Sequence, residues 1–69
     1  MQDKTPEQVV QQVEALLERR RISQARSLLQ PALATHPQHP GLLLQSAYAD
    51  YLDDRYDDAL TTVRQVLLS

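Results

Sequence analysis

The stretch YLDDRYDDAL, residues 51–60, sets four aspartates and one arginine around two tyrosines ahead of an Ala-Leu pair. Taken alone it reads as a metal loop, an acidic docking patch or a turn between two helices. Residues 17–26, LERRRISQAR, lie 34 positions earlier and share the layout with the charge reversed. The same offset aligns Pro6 with Pro40, Gln11 with Gln45, Ala15 with Ala49, Arg21 with Arg55, Ala25 with Ala59 and Leu33 with Leu67. A fixed period of this length is the signature of stacked helical hairpins. The stretch therefore reads as the turn inside the second of two hairpins, its short polar side chains capping backbone N–H groups.

Outward from that turn, four segments carry apolar residues at helical spacing and none alternates as a half-buried strand does, so the fold class is all-α. Thr5-Pro6-Glu7-Gln8 predicts a helix start with a capping hydroxyl, proline at the first helical position and a capping-box glutamine. Val9, Val13 and Leu16 are expected to form the buried stripe of this helix, with Val10 and Leu17 beside it. Its end is placed near Arg19–Arg21, where cations favour the negative end of the helix dipole. The second helix is expected to start near Ser23 and run to about Thr35. It buries Ile22, Ala25, Leu29, Ala32 and Leu33, and Pro31 kinks it without stopping it. His36-Pro37-Gln38-His39-Pro40 breaks the chain. The third helix starts at Pro40, places Leu43, Leu44, Ala47 and Tyr51 inward and ends near Asp53. The fourth, from about Tyr56 to Leu68, turns Ala59, Leu60, Val63, Val66 and Leu67 inward.

In Tyr56, Ala59 and Val63, and in Ile22, Ala25, Leu29, Ala32 and Pro37, the chain resembles the tetratricopeptide repeat, whose second helix carries a small residue, an aromatic slot and a closing proline. The first helices depart from the motif: Val9 and Leu43 stand at its tryptophan, Gln12 and Ser46 at its leucine, Val13 and Ala47 at its glycine, Leu16 and Asp50 at its tyrosine. The resemblance implies four helices in two stacked antiparallel hairpins. Residues 1–5 form a tail, residues 6–37 the first repeat and residues 38–69 the second. The register also sets Arg19 and Arg20 opposite Asp53 and Asp54, an expected surface ion-pair network.

Composition narrows the function. A chain of 69 residues makes one small domain, whose core rarely leaves more than roughly 3–5 kcal/mol of net stability without a staple, and it has no cysteine to provide a disulfide or thiol chemistry. A formal charge of −2 and a pI near 5.5 argue against a nucleic-acid partner. No apolar run approaches the ~18 residues of a membrane span. MQDKTPEQ lacks a basic segment followed by an apolar one, so no secretory signal is expected and a cytoplasmic location is the reading.

The aspartates lack calcium-loop spacing and its glycine, because the one glycine is Gly41. His36 and His39 read as loop residues, and no catalytic acid–base set converges, so neither a metal, a cofactor nor an enzymatic role is expected. The family resemblance implies a non-enzymatic scaffold that binds a protein or peptide in a concave groove formed by the first helix of each repeat. On that reading Gln11, Glu14 and Glu18 line one half of the groove and Gln45, Tyr48 and Leu52 the other, suited to a neutral or basic partner. An N-terminal arm of a longer enzyme, such as a transferase, and a self-assembling structural subunit are the alternatives. Where the second helix has Arg26 and Ala34, the fourth has Leu60 and Leu68. Leu60, Val63 and Leu67 are therefore expected to be covered, by further chain or by a second copy in a homodimer.

Overall fold

The computed structural model describes residues 5–68, which form four helices: α1 (Pro6–Glu18), α2 (Ile22–Thr35), α3 (Pro40–Leu52) and α4 (Tyr56–Leu68). Of the expected tail, residues 1–4 lie outside the described residues. α1 pairs with α2 and α3 with α4, while α3 also packs against both α1 and α2; α4 touches α3 alone. The result is a slab of 38 × 29 × 15 Å, little thicker than one helix with its side chains. No described helix is long and apolar enough to cross a membrane.

Local chemistry sets the helix ends. The Thr5 hydroxyl accepts the Gln8 N–H at 3.2 Å and the Gln8 side chain accepts the Thr5 N–H at 3.1 Å, closing the capping box. Both hairpin turns share one geometry. In the first, Arg20 adopts φ 61°, and the N–H groups of Arg20 and Arg21 return to the carbonyls of Leu17 and Leu16 at 2.9 Å each. In the second, Asp54 adopts φ 62°, and the N–H groups of Asp54 and Arg55 return to Tyr51 and Asp50 at 3.2 and 2.7 Å. This is the Schellman motif, whose left-handed residue is usually glycine. Because the first turn uses Arg19 to Arg21, α2 begins at Ile22, one residue before Ser23, with no side-chain cap. It continues through Pro31 to Thr35.

The core lies between the first hairpin and α3: Val9, Val13, Leu17, Ala25, Leu29, Leu42 and Ala49 are buried together. Two expected stripes are thereby corrected. On α1, Leu17 is fully buried and Leu16 only half-buried, because the side chain one position further on points between α2 and α3. On α3, Leu42, Ala49 and Asp50 join Ala47 as the buried residues, while Leu44 and Tyr51 are 47% and 57% exposed. α3 is the middle helix, and it uses the face opposite Leu44 and Tyr51 to dock on the first hairpin. On α4, Ala59 is buried and Val63 and Val66 half-buried, whereas Leu60 and Leu67 are exposed because nothing covers that side of the helix.

The expected ion pairs of Arg19 and Arg20 with Asp53 and Asp54 do not form. Among the described residues, Arg26 reaches across from α2 to the buried Asp50 at 2.8 Å and to Asp53 at 3.5 Å, and Arg55 holds Asp53 at 3.3 Å. Asp54 instead accepts the Tyr56 hydroxyl at 2.9 Å. Equivalent turns sit one repeat apart, so a residue of one turn does not meet its counterpart; Arg26, a turn further along α2, does meet α3.

Two outcomes follow for stability. Arg20→Gly relieves a left-handed non-glycine residue and is expected to stabilise the fold by about 0.5–1 kcal/mol, since the ~1–2 kcal/mol steric relief exceeds glycine's entropic cost. Thermal melts read this as a Tm rise, and an unchanged or lower Tm contradicts it. Arg26→Ala and Asp50→Ala are each expected to cost about 1–3 kcal/mol, with the double variant costing clearly less than their sum. Additive losses in urea denaturation mean that the pair is not coupled.

Candidate functional site

Two surfaces stand out, and both arise from the way α3 is shared between hairpins. The first is the face on which α1 and α3 lie side by side. There Gln11, Glu14 and Glu18 are exposed along one side of α1, a polar stripe at helical spacing. The register-matched residues of α3 are less open: Gln45 and Leu52 are half-buried, Leu52 packs against the core, and Tyr48 is 39% exposed. Gln45 Oε1 is shielded from solvent and has no hydrogen-bond partner among the described residues. The face thus combines two carboxylates, amides and one tyrosine ring.

At one end of this face a contact unforeseen in the sequence ties the hairpins together. His39 caps α3, its Nδ1 accepting the Leu42 N–H at 3.3 Å, and its Nε2 meets Glu7 Oε2 of α1 at 3.0 Å. A ring that accepts through Nδ1 carries its proton on Nε2, so the neutral tautomer donates to Glu7. That hydrogen bond holds the Glu7 carboxyl below the usual glutamate range, with the backbone N–H of the first turn and the nearby histidines acting in the same direction. The signal for this link was His39 just before Pro40, the position at which a helix takes a side-chain cap. Gly41 follows, and a Cβ there would lie 3.1 Å from the His39 ring and 3.2 Å from Val10 Cγ2, so the small residue admits the approach of α1.

The second surface is the outer side of the α3–α4 hairpin. Leu44, Tyr48, Tyr51, Tyr56, Leu60 and Val63 line an open apolar depression floored by Ala47 and Ala59. The Tyr51 and Tyr56 rings meet edge to face with centroids 5.5 Å apart, and the bond to Asp54 holds the Tyr56 hydroxyl on its proton, raising its pKa. Tyr48 sits on the border between the two surfaces. No three His, Cys, Asp or Glu side chains among the described residues come together as a metal cluster.

The family model described as Tetratricopeptide repeat matches residues 16–69. No curated protein and no solved structure matches the chain.

The Glu7–His39 link has a measurable consequence. A glutamate with a depressed folded-state pKa contributes stability above its unfolded pKa and loses it as pH falls through the folded one. The carboxyl carbon of Glu7 is expected to titrate below the ordinary glutamate value in an NMR pH series, and to rise toward it in His39→Ala. A Glu7 titration indifferent to that substitution removes the link.

Proposed function

Because the chain belongs to the tetratricopeptide-repeat family, a family of protein-interaction domains that are generally not catalytic, we propose that it is a non-enzymatic scaffold binding a peptide or helix along the α1–α3 face. The observation that carries this reading is the paired stripe on the two first helices: exposed Gln11, Glu14 and Glu18 on α1, and Gln45, Tyr48 and Leu52 at the matching positions of α3. The carboxylates of Glu14 and Glu18 favour a neutral or basic segment and work against an acidic one. Tyr48 supplies an amphipathic anchor, apolar on the ring and polar at the tip. The unsatisfied Gln45 Oε1 is an acceptor that a modest side-chain rotation offers to a donor on the ligand. A polar groove with one aromatic anchor is built for a modest, exchangeable affinity.

An NMR titration with a library of basic and neutral peptides tests it. The backbone signals of Gln11, Glu14, Gln45 and Tyr48 are expected to move before those of Asp53, Asp54, Asp57 and Asp58. Tyr48→Ala is expected to weaken the best peptide by about tenfold or more, the effect of removing an interface anchor. Shifts confined to His36 and His39, or to Arg19–Arg21, overturn the groove reading.

A further inference from the structure

The apolar end face of the second hairpin has a history written in the repeat. Moving Val10, Val13, Leu17, Ile22, Ala25 and Leu29 by one repeat gives Leu44, Ala47, Tyr51, Tyr56, Ala59 and Val63. The first set is buried or half-buried because α3 packs on it. In the second set, Leu44, Tyr51 and Tyr56 are about half exposed or more. The face therefore has the layout of a helix-docking surface and no helix on it. The change of greatest consequence for a docking helix is the loss of a charge. Arg26, which grips Asp50 of the docked helix at 2.8 Å, is replaced by Leu60, 51% exposed. A helix settling here has to bring an apolar side chain where α3 brings a carboxylate.

The surface on the opposite end of the molecule brings Leu16 to the place of Asp50 but surrounds it with polar side chains. The α1 residues that match the docking side of α3 are Gln8, Gln12, Ala15, Leu16 and Arg19, where α3 has Leu42, Ser46, Ala49, Asp50 and Asp53. Three of the five are polar or charged, and Gln8 is committed to the Thr5 capping box. A head-to-tail stack of copies would bury them against the tyrosines.

α4 itself meets the need. Tyr56, Leu60, Val63 and Leu67 follow one another at spacings of four, three and four residues, the seam of a two-helix coiled coil. The stripe is its own complement when one copy is turned end for end: Leu60 meets the partner's Val63, and Tyr56 meets the partner's Leu67. Asp57 and Arg64 each follow a seam residue on the same flank, seven positions apart. Neither forms an ion pair among the described residues. In an antiparallel pair residues on the same flank face each other, so Asp57 lies opposite the partner's Arg64, and the two-fold axis makes that pair twice. A parallel pair places the same two residues opposite Ala59 and Val66 instead and forms neither ion pair.

We propose that the chain forms an isologous dimer in which two α4 helices pack antiparallel across a two-fold axis, the Tyr56, Leu60, Val63, Leu67 seam closing the apolar face and Asp57 pairing with the partner's Arg64. The α1 stripe of Gln11, Glu14 and Glu18 takes no part in this seam.

Sedimentation equilibrium of the 69-residue chain is the test, with circular dichroism confirming helix content for each variant. The wild type is expected to sediment as a monomer–dimer equilibrium. Leu60→Asp is expected to leave only monomer at the same concentrations. Asp57→Arg and Arg64→Asp, both exposed substitutions compatible with the fold, are each expected to weaken the dimer by about tenfold or more, since each sets two like-charged contacts. The double exchange Asp57→Arg with Arg64→Asp is expected to bring the association back to near the wild-type level. Growth beyond the dimer with concentration would mean head-to-tail stacking and overturns the proposal. A wild-type chain that stays monomeric leaves the face to a helix of another polypeptide and overturns it too. Failure of the double exchange to restore association removes the antiparallel register.

Discussion

The contact between the Arg26 guanidinium and the Asp50 carboxylate is the one on which the arrangement of the two hairpins turns. Asp50 is buried in the middle helix, a position where an unpaired carboxylate is strongly destabilising. Among the described residues its compensation comes from the other repeat, at 2.8 Å. α3 can therefore not slide along or rotate against α2 without leaving a charge stranded. Apolar packing supplies the bulk of the driving force, through Val13, Leu17 and Leu42, but such packing tolerates several rotations. The ion pair selects one of them. Asp53, shared between Arg26 at 3.5 Å and Arg55 at 3.3 Å, links the same guanidinium to the second turn, so the inter-repeat contact and the hairpin geometry are coupled.

Repetition in sequence has produced repetition in backbone and asymmetry in environment. Arg20 and Asp54 take nearly the same left-handed φ one repeat apart, and the return hydrogen bonds of Arg20 and Arg21 recur at Asp54 and Arg55. Burial does not follow. Leu17 is inaccessible and its counterpart Tyr51 is 57% exposed, because only the first hairpin has a third helix lying on it. The side chains register the difference: aliphatic Leu17 and Ile22 give way to Tyr51 and Tyr56, which carry a polar group that tolerates partial wetting.

What could be seen in the sequence follows from which constraints are local. The capping box at Thr5, the prolines at Pro6 and Pro40, the breaks and the 34-residue period each depend on a few neighbouring residues, and the helices stand where those residues place them. The buried side of α3 could not be seen that way. Leu42, Leu43 and Leu44 are adjacent, and periodicity alone lets either side of the helix turn inward; packing against α1 and α2 decides for Leu42 and Asp50. The ion pairs were missed for a related reason. Register identifies equivalent residues, not touching ones, and Arg26 meets Asp50 only through the offset of one helix relative to the next. The candidate groove residues on α1 were legible as a solvent stripe, but the half-burial of Gln45 and Leu52 depends on where the core lies.

That α4 touches α3 alone bears on how the molecule opens. Every other helix has at least two neighbours, and the Arg26–Asp50 pair, the capping box and the Glu7–His39 link all lie within residues 5–50. Lifting α4 away breaks none of them. In the monomer the lowest-energy excursion is therefore detachment of this helix about the turn at Asp53 to Arg55, with the three-helix unit left intact. In that state amide protons of α4 should be the first to exchange with solvent among the four helices, and the Asp54 turn is where a protease would find a flexible backbone. Thermal melting of the isolated chain then has two stages of cooperativity folded into it, an outer helix in local equilibrium and an inner trio that yields only as a whole.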